Sequence, residues 1–377
     1  MVIKNALVHT TDQGFVQKDV FTDGTLFSRQ TKDSAVLDGS GCYLIPGLID
    51  IHFHGCAGYD FCDGTPEALD AIGTYELSCG VTSMCPASMT LSEDRLSVIC
   101  KNAAAYHGGN DRKKRARLCG INLEGPFISM EKKGAQNPAY ITPPSVTMFH
   151  HLQEAAGGLV KLITLAPETE HAIPFIEELS SEVHISLGHT ACDYDTAKKA
   201  LSCGADHLTH LYNAMPAFSH RAPGLIGAAA DSSHAMAEII CDGIHIHPSA
   251  VRAAFRLFGD ERMIFISDSM MATGMEDGSY ALGGLPVHVK GHYATLSDGT
   301  LAGSATNLMD CMKMAVSMGI PLDTAVKCAT INPARSIGVA DNYGSITVDK
   351  TADCLLLDQD TLSLKAIVFE GELLSSF

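Results

Sequence analysis

Short apolar runs alternate with longer amphipathic segments along the middle of the chain. Eight runs of four to six residues have the length of buried strands: Leu48–Phe53, Val81–Cys85, Leu118–Leu123, Val160–Leu165, Val183–Leu187, His207–Leu211, Glu238–Cys241 and Met263–Ile266. Most are separated by segments whose apolar positions recur at helical spacing: Pro66–Cys79, Ser92–Tyr106, Tyr194–Cys203 and Pro248–Phe258. Because crossovers of this length connect parallel strands, the pattern predicts an α/β fold, a (β/α)8 TIM-type barrel.

A doubly wound open sheet is the main alternative arrangement for such a pattern. That fold places a glycine-rich phosphate-binding turn after its first strand, but the first run here ends in histidines. The barrel is therefore the expected architecture. Turn signals at Asp277-Gly278, Gly283-Gly284 and Asp298-Gly299 also predict a hairpin insertion, residues 275–300, after the eighth strand.

Both ends of the chain consist of short strand-like runs and turns. The runs are Val2–Val8 and Phe15-Val16 at one end, and Gly344–Val348, Cys354–Leu357 and Ala366–Phe369 at the other. Neither end has enough apolar pattern to fold alone. We therefore expect two halves of one small β-sandwich domain, residues 1–46 and 340–377, which flank a barrel domain of residues 47–339.

The composition is that of a globular protein. Of 377 residues, 46% are hydrophobic and 18% are charged, which provides a large core and excludes extended disorder. The net charge of −17 makes nucleic acid and anionic membranes poor partners, so we expect neither. The basic run Arg112-Lys113-Lys114-Arg115 is interpreted as a solvated turn before a strand rather than as a nucleic-acid patch.

Cysteine usage indicates a reducing compartment. The thirteen cysteines are odd in number, scattered in spacing and without a C-x-x-C pair, which argues against a disulfide scaffold or a zinc knuckle. The first residues lack the apolar segment of a signal peptide, and no run has the length of a membrane span. We therefore expect a cytoplasmic protein with no membrane segment.

Candidate chemistry lies where the predicted strands end, because the working residues of such barrels occupy the carboxyl ends of the strands. Six strands end in or lead to imidazole or carboxylate groups: His52 and His54 (strand 1), Glu124 (strand 3), His189 (strand 5), His210 (strand 6), His245 (strand 7) and Asp268 (strand 8). Period-two alternation puts His52 and His54 on one face of their strand. Since imidazole and carboxylate suit Zn, Fe, Co or Mn, the sequence predicts a metal centre.

Each of these residues alone has a simpler structural explanation. A His-x-His pair in a strand more often serves packing or hydrogen bonding, and Glu124 or Asp268 could cap the following segment. Their combination favours ligation, because strongly polar groups inside an apolar barrel cost several kcal/mol unless they are paired or ligated.

The strand ends carry longer motifs, which in chain order are Pro46–Asp50 followed by His52-x-His54, then Leu123–Ile128, Glu131–Ala135, Ser186–Thr190, His210–Met215, Asp242–Pro248 and Asp298–Ser304. These seven motifs resemble those of the N-acetylglucosamine-6-phosphate deacetylases, in the amidohydrolase superfamily. The resemblance runs from about Ile45 to Arg335. It implies a metal-dependent hydrolase that converts N-acetylglucosamine 6-phosphate to glucosamine 6-phosphate and acetate in amino sugar catabolism.

The resemblance also implies roles for the matching residues. The main metal ligands would be Glu124, His189 and His210, with His52 and His54 able to hold a second ion, so that one or two divalent ions such as Zn or Fe bind per subunit. Asp268 would be the catalytic acid and base. The substrate would contact Ala135, Gln136, Asn213, Ala214, Arg221, His245, Leu301, Ala302 and Gly303. Arg221 and His245 would be the cations for the phosphate, in a pocket that a neighbouring subunit closes, which implies a homodimer.

Two positions distinguish this chain among relatives of this type. Many amidohydrolases bridge two metals with a carboxylated lysine at the end of strand 4, but Lys161 lies at the start of that strand, so Glu124 is expected as the primary or bridging carboxylate. The deacetylases usually have a histidine that polarises the acetyl carbonyl where this chain has Gln136. Glutamine is a neutral hydrogen-bond donor. Either it stabilises the oxyanion less well than histidine does, or this chain acts on a different acyl group or a different sugar.

Other functions remain open at this stage. The first alternative is another amidohydrolase activity, with a cyclic amide, an N-acyl amino acid or the 6-phosphate of N-acetylmannosamine or N-acetylgalactosamine as substrate. The cations Arg221 and His245 favour a sugar phosphate among these substrates. A catalytically silent metal-binding protein is the second, and Asp268 argues against it because such a protein needs no proton shuttle. The sequence does not decide the identity or the number of the metals.

Overall fold

The computed structural model describes residues 1–109 and 114–376; Arg112 and Lys113 of the basic run lie outside them. Eight parallel strands follow one another around a barrel in chain order. They are Leu48–Asp50, Val81–Met84 with Ala87–Ser88, Arg117–Leu118 with Ile121–Glu124, Val160–Leu165, His184–Leu187, His207–Leu208, Met236–Ile240 and Met263–Ile266. The first and eighth strands meet where the Asp268 N–H donates to the His52 carbonyl oxygen at 3.0 Å. The predicted α/β barrel is confirmed.

The second and third strands of the barrel are each interrupted. Val81–Met84 pairs with the first strand and Ala87–Ser88 with the third, on either side of a break at Pro86, which has no backbone N–H to donate. In the third strand the break falls at Gly120, where a Cβ would lie 2.5 Å from Cγ of Lys161. The prediction of one continuous strand over Leu118–Leu123 was therefore wrong.

Helices cover the outside of the barrel. Their bounds are Pro66–Ser78, Glu93–Gly108, Val146–Ala155, Ala172–Leu179, Tyr194–Ser202, Gly224–Asp231, Pro248–Phe258, Leu308–Ser317, Leu322–Ala329 and Ile331–Ser336, with short 3₁₀ turns at Phe61–Asp63 and Pro138–Tyr140. Polar residues begin several of them: the side chains of Thr65, Ser92 and Asp193 each accept a hydrogen bond from a backbone N–H in the first turn. Their buried faces join the strands in one apolar core.

The two ends of the chain share one six-stranded sheet. Its spatial order is Glu372–Ser376, Leu364–Phe369, Cys354–Asp358, Cys42–Pro46, Leu7–Thr10 and Gly14–Gln17. A second sheet contains Leu26–Ser28, Val20–Asp23, Val2–Lys4 and Val36–Asp38. A separate apolar cluster draws side chains from both chain ends, including Val8, Leu44, Leu356 and Val368. The domain boundaries at residues 46/47 and 339/340 stay a prediction.

Two terminal runs differ from the prediction. Val2–Val8 is two strands in different sheets, because Asn5 between them has a left-handed backbone with φ of 64° that redirects the chain. Gly344–Val348 is not a strand. The N–H of Thr347 donates instead to the carbonyl oxygen of Ser345 at 3.1 Å, so local turns satisfy this backbone.

The insertion after the eighth strand is a three-stranded antiparallel sheet, Gly278–Leu282, Leu285–Lys290 and Tyr293–Thr295, which agrees with the predicted hairpin. Leu282 of its first strand packs in an apolar cluster with Met89 and Met270 at the barrel mouth. Among the helices of the described residues, none is both long enough and apolar enough to span a bilayer.

Candidate active site at the carboxyl ends of the strands

Three site residues leave their strands with a left-handed backbone. The φ angles are 47° at His189, 29° at His210 and 49° at Asp268. Such conformations cost about 1–3 kcal/mol each and persist where surrounding contacts hold them. The turn at His210 also ends the sixth strand at Leu208, so the predicted strand His207–Leu211 is too long.

The Glu124 carboxylate lies at the centre of four imidazoles. Its Oε1 atom is 3.1 Å from Nε2 of His189, 3.0 Å from Nε2 of His210 and 3.3 Å from Nε2 of His52. Its Oε2 atom is 3.4 Å from Nε2 of His54. All five side chains are buried. The structure thus brings together the five residues that the sequence predicted as metal ligands.

Hydrogen bonds on the other ring nitrogen fix the tautomer of three imidazoles. Nδ1 of His189 donates to the Lys132 carbonyl at 2.8 Å, and Nδ1 of His54 donates to the Ala87 carbonyl at 3.3 Å. Nδ1 of His52 donates to the Glu238 carboxylate at 2.9 Å. Carbonyl and carboxylate oxygens only accept, so each Nε2 has its lone pair directed towards Glu124 in the neutral ring.

These lone pairs oppose the Glu124 carboxylate unless a cation lies among them. Among the described residues, Nε2 of His52 is buried without a hydrogen-bond partner, and Nε2 of His189 lies 3.1 Å from Nε2 of His210, whose Nδ1 has no partner to fix its tautomer. Metal-ligating histidines commonly donate their second ring N–H to a carbonyl or carboxylate, as His189 and His52 do. The donor set therefore fits a divalent cation bound by imidazole and carboxylate.

Glu238 contacts the candidate metal ligands and was not predicted as a site residue from the sequence. Its Oε2 atom accepts from His52 and from the His210 backbone N–H at 3.1 Å, and its Oε1 atom lies 3.1 Å from Nε2 of His207. Burial alone would raise the pKa of Glu238, but His52 and His207 hold that pKa well below its ordinary value. The sequence does contain a signal for this role, because a carboxylate inside the apolar run of the seventh strand needs a buried hydrogen-bond or charge partner.

Asp268 stands next to this cluster at the cavity wall. Its Oδ1 atom is 3.3 Å from Nε2 of His54 and 3.8 Å from Nε2 of His52. Burial would raise the pKa of Asp268, but His54 and the other imidazoles, when these rings are protonated on Nε2, lower it below its usual range. An ionised Asp268 is placed to accept a proton.

A cavity of about 370 Å³ opens onto these groups. Most predicted substrate residues line it: Ala135, Gln136, Asn213, Ala214, His245, Leu301 and Gly303. Arg221 is instead exposed and away from the cavity wall, and Ala302 is fully buried. The wall also includes residues that were not predicted as substrate contacts, namely Met89, Glu131, Lys132, Leu282 and Thr300. Of these, Glu131, Lys132 and Thr300 lie within the motifs of the sequence.

His245 lies on the cavity wall and is paired with Asp242. Its Nδ1 atom donates to Asp242 Oδ2 at 2.7 Å, and the same aspartate accepts from the backbone N–H groups of Ile244 and His245 at 2.9 Å. Burial lowers the pKa of His245, but the hydrogen bond and charge of Asp242 outweigh that effect and raise it above its ordinary value. An anionic part of a ligand is favoured on this side of the cavity.

Comparison with known proteins agrees with this architecture. A sequence model of the amidohydrolase family matches residues 43–373. The chain is 37% identical over 362 residues to the N-acetylglucosamine-6-phosphate deacetylase of Bacillus subtilis (strain 168), covering 95% of this chain and 90% of the relative. It is 32% identical over 357 residues to an N-acetylgalactosamine-6-phosphate deacetylase of Escherichia coli O157:H7, covering 94% and 93%.

The fold is also similar to solved structures over its whole length. The crystal structure of the N-acetylglucosamine-6-phosphate deacetylase from Pasteurella multocida superposes with a TM-score of 0.92 at 29% sequence identity. The superposition covers 100% of this chain and 99% of that structure. The small β-sheets are therefore matched together with the barrel.

Proposed function

The chain belongs to the amidohydrolase family, and from that premise we propose that it removes the acetyl group of N-acetylglucosamine 6-phosphate. The products are glucosamine 6-phosphate and acetate, in amino sugar catabolism. The observation that carries this proposal is the convergence of imidazole lone pairs on Glu124, with Asp268 beside them, at the base of a cavity that has His245 on its wall.

Glu124, His189 and His210 would hold a divalent ion, and His52 and His54 would complete a second position. When bound, such an ion polarises a carbonyl and makes water ionise near neutral pH. Asp268 accepts the proton of the attacking water and delivers it to the amide nitrogen, because an amine leaves readily only when protonated. His245 holds the phosphate, and Arg221, which is exposed outside the cavity wall, joins it where a second subunit closes the phosphate pocket. Ala135, Asn213, Ala214, Leu301 and Gly303, which line the cavity, contact the acetamido sugar.

The working unit in this proposal is a cytoplasmic homodimer. All thirteen cysteines lie in the described residues and are free thiols, which fits a reducing compartment. Arg221 is exposed, and a second subunit would cover it and help to close the phosphate pocket. Sedimentation at several concentrations tests this state: a dimer whose activity falls on dilution in step with its dissociation supports it, and a monomer of undiminished activity contradicts it.

Assays of several candidate substrates, with and without removal of metal by a chelator, test the proposed activity. Acetate release is measured on N-acetylglucosamine, N-acetylgalactosamine and N-acetylmannosamine, each with and without the 6-phosphate, before and after metal removal. We expect the highest kcat/KM on N-acetylglucosamine 6-phosphate, and recovery of the lost rate when divalent metal is returned. Preference for N-acetylgalactosamine 6-phosphate, the substrate named for the Escherichia coli relative, would move the assignment to that epimer. Activity that survives complete metal removal would contradict the mechanism.

A further inference from the structure

Gln136 forms a bridge between the backbone of Thr90 and the central carboxylate. Its Oε1 atom accepts from the Thr90 N–H at 2.7 Å, and its Nε2 atom donates to Glu124 Oε2 at 2.5 Å. Gln136 lines the cavity, but only 2% of its surface is exposed. Its polar atoms are therefore engaged with the protein rather than directed into open space.

The amide of Gln136 has only one orientation that satisfies both partners. The Thr90 N–H is a backbone group that only donates, and the Glu124 carboxylate, when ionised, only accepts. Turning the amide over would place its oxygen against Glu124 and its NH₂ against an N–H, so both hydrogen bonds would be lost. Each such loss in a buried site costs about 1–3 kcal/mol, which keeps the N–H on Glu124.

The two oxygens of Glu124 have different surroundings as a result. Oε1 faces Nε2 of His189, His210 and His52, whereas Oε2 faces Nε2 of His54 and the Gln136 amide. Gln136 is the nearest hydrogen-bond donor to Oε2, at 2.5 Å, whereas the His54 nitrogen is 3.4 Å away. The rotation of the carboxylate therefore depends on this amide.

We propose that Gln136 is a positioning residue for the metal centre, which fixes the rotation of Glu124 and so keeps Oε2 beside His54 of the second position. Oε1 lies beside His189, His210 and His52, so Oε2 is the oxygen whose place depends on Gln136. The proposal rests on the metal site of the proposed function. In this proposal Gln136 acts on the Glu124 carboxylate and not on the acetyl carbonyl of the substrate. Without Gln136, the second ion is therefore held more weakly.

The test measures ion binding directly, without substrate. Apoprotein of the parent and of Gln136→Met, which has similar length but no hydrogen-bonding amide, is titrated with Co²⁺ and followed by its visible absorption bands and by chelator competition. We expect two equivalents in the parent. In Gln136→Met we expect the affinity for the second equivalent of Co²⁺ to fall by about 10–100-fold, which is the usual effect of losing an outer hydrogen-bond partner of a ligand. The affinity for the first equivalent should fall by clearly less.

Two further variants make the result specific. Gln136→Asn keeps the amide but is one methylene too short to reach both Thr90 and Glu124, so it should weaken the second equivalent as Gln136→Met does. Asn137→Ala is the matched control; its side chain only caps the Ala139 N–H at 3.0 Å, and both equivalents should bind as in the parent. The melting temperature of each apoprotein reports whether the variant folds.

Several outcomes would overturn the assignment. Unchanged affinities in both Gln136 variants, with kcat lowered at constant metal content, would place Gln136 on the substrate instead. A parent that binds a single equivalent would remove the second position, while the proposed deacetylation could still proceed with one ion. A parent that binds no Co²⁺ and hydrolyses every sugar of the panel after metal removal would overturn both this assignment and the proposed metal mechanism.

Discussion

The Glu238 carboxylate and the His52 imidazole form a buried pair, with Oε2 of Glu238 2.9 Å from Nδ1 of His52. This contact lies on the opposite edge of the ring from Glu124, which is 3.3 Å from Nε2. Glu238 also accepts from the His210 backbone N–H and from His207. One carboxylate of the seventh strand thus orients groups from the first and sixth strands.

Replacing Glu238 with Gln should weaken metal binding without removing any ligand. The neutral amide has a single oxygen, so it cannot accept from His52 and His207 as the carboxylate does. Loss of such an outer partner typically lowers metal affinity about 10–100-fold. Chelator competition on the variant measures this loss, and Glu182→Gln, at an exposed pair with His150, is the control. Parent-like affinity in Glu238→Gln would show that His52 is oriented by other contacts.

Asp268→Asn should abolish most of the chemical step while the protein keeps its fold and its metal. A general acid and base contributes about 10²–10⁴-fold, and a group that serves both proton transfers belongs in the upper part of that range. The assay is kcat for acetate release, with metal content and melting temperature measured on the same samples. A kcat within tenfold of the parent would contradict the assignment of Asp268.

The affinity for phosphorylated substrate should fall as pH rises through the pKa of His245. Burial opposes the charged ring, but the Asp242 hydrogen bond and charge raise the pKa above its ordinary value, so the imidazolium persists to higher pH and is then lost. KM for the 6-phosphate sugar should rise with this loss. Asp242→Asn removes the stabilising carboxylate, so the rise should begin at lower pH.

Measurements above about pH 7 keep the phosphate itself dianionic, because its second ionisation lies near pH 6. The unphosphorylated sugar provides the reference, and its KM should not follow the same curve. If the KM profiles of the parent and of Asp242→Asn coincide, the charge of His245 does not serve the phosphate.

Arg221→Ala tests the second predicted phosphate cation. Arginine offers a fork of N–H donors that matches phosphate oxygens, and charge-assisted hydrogen bonds are about twice as strong as neutral ones. The variant should raise KM for the 6-phosphate sugar far more than for the unphosphorylated sugar. Equal changes for both sugars would place the phosphate elsewhere, and Lys132 on the cavity wall is the group to replace next.

Arg117 should contribute strongly to stability, because it ties the third barrel strand to the sheet at the chain ends. Its guanidinium lies 2.9 Å from both Asp353 and Glu370 and stacks on Tyr343 and Phe369, with 6% of the residue exposed. Removing one partner of a buried ion pair typically costs about 3–5 kcal/mol. Urea unfolding of Arg117→Ala measures the loss, with the exposed Arg256→Ala as control. A decrease in the free energy of unfolding below about 1 kcal/mol would show that the ion pairs of Arg117 contribute no more than exposed surface ion pairs.

The alternation of apolar runs and amphipathic segments determined the barrel. Val160–Leu165 and Met263–Ile266 have the predicted bounds, because strands buried on both faces are largely apolar; Lys161 and Thr164 are the two polar residues of the first run. Residue type and place at strand ends were sufficient to predict that His52, His54, Glu124, His189 and His210 converge. The breaks at Pro86 and Gly120 and the short sixth strand were not predicted, because they depend on contacts between neighbouring strands.

Only the tertiary structure decided which partner each polar group has. Gln136 and Glu124 are twelve positions apart, and Glu238 is 186 positions from His52, so no local pattern relates them. A hydrogen bond is decided within a few tenths of an ångström, whereas periodicity fixes only the face on which a side chain lies. The sequence alone thus predicted the barrel and the chemistry of its mouth. The tertiary structure assigned Glu238 to His52 and brought the Gln136 amide to the Glu124 carboxylate, because packing of distant strands and loops sets those distances.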